Sequence, residues 1–386
     1  MIRIYLDYAS NTPLLPEVKQ AMVAWLDQFG NPSSLHAFGR EANQALEQAR
    51  RQVASLINAS PEEIYFTSCG TESNNWAIKG LLAANKRKGN HLIVSSIEHP
   101  SILLVAKRLE REGYDVTYLP VTREGVVEPG ALKAALKPTT VLASVMYANG
   151  EIGTIEPIAE LARVAHEAGA LFHTDAVASV GYVPVDVKEL GVDALSLAAN
   201  QFYGPAGAAA LYLRDDVRVL PHLEGGGQET GARSGTENVL AIVGMGVAAE
   251  LAKPQMAARM AHVSRLRDRL KEGILERVEG IRLNGSWTLR LPHNLHVCIE
   301  GVSSESLVLG LDQEGLAVGI GSACNSKAMR PSHVLKALGM SDEEAKGALL
   351  FSVGVQTTEQ EIEVYLDVLP KVVSRLRHVI AMTVAR

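Results

Sequence analysis

"FTSCGTESNNWAIKG", residues 66–80, reads as the end of an apolar strand, a turn of small residues and the opening of a helix. Folded that way, the backbone N–H groups near Gly70 and Thr71 face outward at the positive end of a helix dipole, which suits a phosphate. The same residues also suit an ordinary capped helix with an acid in its first turn, so the stretch fixes strand–turn–helix before it fixes a ligand. Its rhythm continues on both sides. "PEVKQAMVAWLDQF" (16–29) and "EANQALEQARRQVASLIN" (41–58) carry apolar residues at helical spacing. "EEIYFTS", "NHLIVSS", "VLASVMYA" and "ALFHTDA" are short apolar runs closed by polar or small residues. From about residue 15 to 215 this βαβ alternation predicts a mostly parallel sheet covered on both faces, with its ligand site outside the carboxyl ends of the strands. After Gly246 the texture changes to a charged amphipathic helix, a few strands and a final helix, a second and smaller α+β unit. The expected division is a large domain over 15–258 and a small one made of 1–14 and 259–386.

A chain of 386 residues is too long for one ordinary core, and 47% hydrophobic with 21% charged residues is the composition of a globular protein with extensive burial. Lys+Arg 37 against Asp+Glu 43 gives a formal charge of −6 with no basic run, so a nucleic-acid partner is not expected. The first residues begin directly on a strand pattern, and no window approaches ~18 uninterrupted apolar residues; the expectation is a cytoplasmic protein with no membrane partner.

Of the three cysteines, Cys69, Cys298 and Cys324, no two have CxxC spacing, which argues against a disulfide framework and a standard zinc site. In "GLAVGIGSACNSKAMRPSHVL" (315–335) Cys324 stands among glycines and serines, where a thiol can reach a partner, whereas Cys298 in "NLHVCIE" reads as packed core. Lys327 is placed either to lower the Cys324 thiol pKa or simply to face solvent. His293 and His296 fall on opposite faces of a strand, so no metal site is expected there. "SSIEHPS" (95–101) and "FHTDAVASVG" (172–181) end strands on the same sheet edge and offer His99 and Asp175. Each alone reads as a structural residue or a helix cap. Together with the phosphate turn they supply an anion anchor, a flat imidazole and a carboxylate, which is what a pyridine-ring cofactor needs.

The motifs "YLDYASNTP", "FGNPSSLHAFGR", "FTSCGTESNN", "EHPS", "NGEIGT", "HTDAVASVG", "YGPAGAAALYLR", "GGGQETGARSGTENV" and "GSACNSKAMRPSHVL" run in order along nearly the whole chain. They resemble the cysteine desulfurases of the NifS/IscS type. The resemblance implies the fold-type I architecture of pyridoxal phosphate (PLP) enzymes, with a large domain on a mostly parallel seven-stranded sheet and a smaller α+β domain. It also implies a homodimer, a lysine-bound PLP, and a loop cysteine that takes sulfur from substrate cysteine as a persulfide and passes it to an iron–sulfur scaffold or other acceptor. Position by position, it assigns the phosphate turn to Gly70 and Thr71, the ring-stacking histidine to His99, the partner of the pyridine nitrogen to Asp175, a phosphate contact from the other subunit to Thr236, and the persulfide cysteine to Cys324.

It also exposes departures. "LSLAANQFYGPAGAAALY" (195–212) is a strand running into a glycine-rich turn and contains no lysine. The resemblance puts Gln201 at the Schiff-base lysine, Asn200 at the preceding histidine and Ala198 at a phosphate-binding serine. Gly150 stands for an asparagine that touches ring and substrate, Ala178 for a glutamine on the ring hydroxyl, and Leu350 for the arginine that grips the substrate carboxylate. Glutamine supplies neither the covalent link nor the acid–base group. The expectation is therefore a pseudoenzyme of iron–sulfur or sulfur-transfer metabolism. It would act through Cys324 as persulfide carrier or as a ligand of a cluster shared with a scaffold, and would hold PLP non-covalently at most. The alternatives are an active desulfurase in mutated or atypical form and a non-catalytic regulatory subunit.

Overall fold

The computed structural model describes residues 3–321 and 331–384. Cys324 and Lys327 lie outside the described residues. Among the described residues twelve strands form three sheets: β1 (Ile4–Leu6), β2 (Ile64–Thr67), β3 (His91–Ser95), β4 (Asp115–Leu119), β5 (Thr140–Ser144), β6 (Leu171–Asp175), β7 (Ala194–Ala198), β8 (Ala209–Leu213), β9 (Ile281–Leu283), β10 (Asn294–Ile299), β11 (Leu316–Val318) and β12 (Ala348–Ser352). The seven-stranded sheet has the order β2-β8-β7-β6-β5-β3-β4, parallel except for β8, which runs antiparallel to both neighbours. Strands β3, β5, β7 and β8 are buried along their whole length, as expected of a sheet covered on both faces. Its helices include α1 (Pro16–Ala24), α2 (Ala37–Leu56), α3 (Gly70–Ala84) and α4 (Pro100–Arg111).

The large sheet's main core joins Phe66, Phe172, Leu195 and Phe202 to Leu46 and Val53 of α2. A separate core gathers Ile4, Leu6, Val297, Leu349 and Phe351 with Tyr365 and Leu369 of the last helix, Glu359–Val384, around the sheet β12-β10-β9 and the pair β1-β11. Strand β1 thus carries the chain's first residues into the second core, while the segment after it, Ala9–Thr12, crosses to the end of β7: Thr12 Oγ1 donates to Asn200 O at 2.9 Å and accepts from Tyr203 N at 2.8 Å.

The change of texture seen in the sequence after Gly246 does not end a helix. One helix, Val239–Arg277, runs through Gly246 and Pro254 and contributes to both cores. Its first half is small and apolar because it lies close on α2: a Cβ at Gly246 would sit 2.7 Å from Ala49 Cα. By length and composition alone this helix could cross a membrane, but Ala241, Met245, Ala248 and Ala252 are buried against the sheet domain.

Candidate active site

A cavity of about 400 Å³ opens where β6, β7, the turn after β2 and the turn after β3 end. Five of the expected site residues that are described meet there: Gly70, Thr71, His99, Asp175 and Gln201 all line it. Gly70 and Thr71 open α3 behind the N-cap residue Cys69, so the helix N-terminus points its amides at the cavity. Glycine is required here, since a Cβ on Gly70 would come within 2.7 Å of Val177 Cγ2. Thr236 is exposed and does not line the cavity of its own chain.

Asp175, the last residue of β6, is buried. Its Oδ2 accepts from Asn74 Nδ2 at 2.6 Å and its Oδ1 from Val177 N at 3.0 Å. Burial pushes its carboxyl above the usual range, and His99 opposes that shift. Asn74 Nδ2 also donates to Ser101 Oγ at 2.9 Å, and that hydroxyl is 2.7 Å from Nδ1 of His99, the N-cap of α4. One polar chain therefore fixes the imidazole and the carboxylate together.

Gln201 sits in the 3-10 turn that follows β7. Its Nε2 donates to Ala9 O at 3.1 Å and Ser10 O at 3.4 Å, tying the end of β7 to the chain's first turn. The wall beside it is small and apolar. Ala178, Ala198 and Leu350 line the cavity, and a Cβ added at Gly150 would meet only Ala178 Cβ, at 3.5 Å. Among the described residues that line the cavity there is no lysine and no arginine.

Sequence reasoning passed over several wall residues. Cys69, Asn74, Glu98, Glu151 and His333 all line the cavity, and all lie inside the motifs already quoted; the missing signal was which motif residues turn inward. Glu98 accepts from Ser95 Oγ at 2.5 Å and Met146 N at 2.8 Å, and burial holds its carboxyl well above the ordinary range. Burial likewise pushes Glu151 up to about 7, against the Ser332 hydroxyl that donates to its Oε2 at 2.8 Å. Asn74 Oδ1, Glu98 Oε2 and Glu151 Oε1 are buried with no hydrogen-bond partner. Gly321 and His333, which flank the stretch holding Cys324, both line the cavity.

Away from the cavity, Cys298 is buried in β10 beside Asn284, whose Nδ2 lies 3.2 Å from its Sγ, and burial raises the thiol to about 11. His293 stacks on Tyr182 at 3.6 Å between centroids, while His296 Nδ1 lies 2.9 Å from Asn284 Nδ2. Burial pushes both imidazoles down to about 3, so both are neutral packing groups.

A seven-stranded, mostly parallel sheet ending on a buried aspartate and a helix N-terminus has the fold-type I architecture of PLP enzymes. The family model Aminotransferase class-V matches residues 4–365. The chain is 48% identical over 375 residues to a cysteine desulfurase IscS of Dictyoglomus turgidum, covering 97% of this chain and 95% of that one. It is 45% identical over 381 residues to a cysteine desulfurase IscS of Methanosarcina thermophila, covering 98% and 94%. A solved structure described as a NifS-like protein superposes with a TM-score of 0.91 at 34% identity, covering 97% of this chain and all of that one. The chain belongs to the class-V aminotransferases, within the IscS/NifS cysteine desulfurases, a PLP-dependent family. These likenesses speak for a cysteine desulfurase and lend no support to a loss of activity.

Proposed function

We propose that the chain serves iron–sulfur assembly or sulfur transfer in the cytoplasm through the thiol of Cys324, and that its cavity holds PLP without a covalent link. The observation that carries the reading is the cavity wall: among its described residues no amine is available, and the side chain at the end of β7 is Gln201. We assign Gln201 to the position of the Schiff-base lysine and Leu350 to that of the carboxylate-binding arginine. An amide nitrogen has no lone pair to offer as nucleophile or base, and a positioned acid–base group is commonly worth roughly 10²–10⁴ in rate. Losing a charge-assisted bond to the substrate carboxylate removes about 1.5–3 kcal/mol more.

The remaining wall fits the non-covalent part of the cofactor's contacts. Asp175 is a buried carboxylate whose pKa burial raises, and a pyridinium N–H would give it a hydrogen-bonded cationic partner. The amides at Gly70 and the Thr71 hydroxyl would take the phosphate, His99 would cover the ring, and Thr236 would serve the phosphate of a second copy. When bound, PLP supplies an electron-withdrawing ring and a carbonyl group. Asn74 and Val177 N donate to the two Asp175 oxygens and orient the carboxyl as an acceptor.

A homodimer is supported by exposed apolar side chains between α1 and α2. Leu26, Phe29, Leu35 and Phe38 are all exposed, and the rings of Phe29 and Phe38 stack at 5.2 Å. The partner in sulfur chemistry is a scaffold or acceptor protein whose cysteines receive the sulfur or complete a cluster's thiolate ligands beside Cys324. An active desulfurase is the second reading, favoured by the 48% identity to a cysteine desulfurase; it needs an amine, and Lys327 is the one its motif offers.

Loading with a small-molecule persulfide tests the proposal. The sulfane sulfur moves to the Cys324 thiolate while the donor leaves as its thiol, and the protein then passes sulfur to an acceptor thiol. Cys324→Ser should reduce transfer to background. Unchanged transfer would overturn the role of Cys324.

A further inference from the structure

We propose that the cavity selects the amine form of the cofactor, pyridoxamine phosphate, over the aldehyde form, because Gln201 turns a hydrogen-bond acceptor toward it. The inference rests on the reading that the cavity holds the cofactor non-covalently with Gln201 at the lysine position.

The orientation of the Gln201 amide is fixed by its neighbours. Both Ala9 O and Ser10 O are carbonyl oxygens, which accept and cannot donate, so the end of the amide that lies 3.1 Å and 3.4 Å from them must be the nitrogen. The carbonyl end, Oε1, is then directed away from the first turn of the chain. It takes no hydrogen bond from the described residues and is not among the buried unpartnered atoms, so it is left to the cavity that Gln201 lines. A ligand group that donates satisfies it; a group that only accepts meets it oxygen to oxygen.

Among the described residues the wall offers no cation that would compete for that oxygen. Its described ionisable residues are Glu98, Glu151, Asp175, His99 and His333, with no lysine or arginine among them. On that reading Asp175 would serve the ring nitrogen and the α3 N-terminus the phosphate. What is left on the wall is the Gln201 amide oxygen; Glu98 and Glu151 also line the cavity, each with one buried carboxyl oxygen that takes no hydrogen bond. An ammonium group donates to Oε1, and no covalent bond is needed to hold it. An aldehyde oxygen gains nothing from Oε1, and among the described residues of the wall it finds no amine for a covalent bond. The small residues Gly150 and Ala178 leave room for the tetrahedral aminomethyl group, which is bulkier than a planar aldehyde.

Three ligands that differ only in this substituent give the test on the full native chain: pyridoxamine phosphate, pyridoxine phosphate and PLP, each titrated by calorimetry. The expected order is amine tighter than alcohol, and alcohol tighter than aldehyde, with amine over aldehyde by about tenfold or more, the range of one hydrogen bond to a charged donor. Gln201→Leu keeps the size and removes the acceptor, and it should bring amine and aldehyde within about twofold of each other. Should that variant fail to fold, the native series decides alone. Equal affinities or tighter aldehyde binding in the native protein would overturn the inference and leave the cavity as a cofactor site. Binding of none of the three would overturn both.

Discussion

Gln201→Lys is expected to give covalent attachment of PLP, on the proposal that residue 201 holds the Schiff-base position. The variant should take up the cofactor in a form that borohydride fixes to residue 201, where the native chain fixes none. The surroundings accept the change: the Gln201 nitrogen already reaches Ala9 O and Ser10 O, two acceptors that a lysine ammonium can use before the cofactor arrives. Neighbouring Ala198 and Gly150 leave space for the longer chain, and Asp175, Thr71 and His99 stay in place to hold the ring. Sulfide release from cysteine should then rise by roughly 10²–10⁴ over the native chain, the contribution of a positioned acid–base group. Adding Leu350→Arg should gain a further factor of about ten or more through the substrate carboxylate. Cofactor uptake without any gain in sulfide release would place the block elsewhere in the site.

Glu229→Ala should unfold the protein more readily than any cavity substitution, by about 3–5 kcal/mol, because it removes the buried bidentate partner of Arg50 and leaves that guanidinium only the more exposed Glu47 and the Ile64 carbonyl. Arg50 of α2 donates from Nη1 and Nη2 to the two Glu229 oxygens, each at 2.8 Å, and Phe66 N donates to Oε2 at 2.8 Å. The Arg50 guanidinium also lies over the Phe66 ring, 4.8 Å from its centroid. Glu229 and Thr230 both adopt left-handed backbone, at φ 47° and 56°, which costs on the order of 1–3 kcal/mol each and persists because this pair pins the segment. The same segment leads to Thr236. Denaturant unfolding should show the midpoint falling with little change in slope, and Arg50→Met with Glu229→Leu should recover part of the loss. Unchanged stability in Glu229→Ala would show the pair to be energetically idle.

Most of the sheet was legible because its strands are buried on both faces and read as continuous apolar runs between turn residues, as in "NHLIVSS" and "VLASVMYA". What the sequence did not disclose was that the charged helix after Gly246 is the second half of one helix that begins at Val239. Gly246 and Pro254 look like breaks, yet the glycine is there for close approach to Ala49, and tertiary packing carries the helix past the proline. For the site, the strand-end residues Asp175, His99 and the Gly70–Thr71 turn were readable because a parallel sheet delivers its strand ends to one edge. Glu98 and Glu151 were not, since a carboxylate in a loop motif is ordinarily solvated; only the folded chain shows them buried against Met146 N and Ser332. Nor could the sequence show that the Gln201 amide is held by the backbone of residues 9 and 10, which lie more than 190 positions away.

The measurement that bears most directly on the account is the mass of the native protein after incubation with PLP and reduction by borohydride, with peptide mapping of any adduct and sulfide release from cysteine followed in parallel. The account predicts an unmodified cavity and no sulfide above the uncatalysed rate. A reduced adduct on a single lysine such as Lys327, with sulfide released from cysteine, would contradict it and make the chain a working desulfurase with a relocated amine.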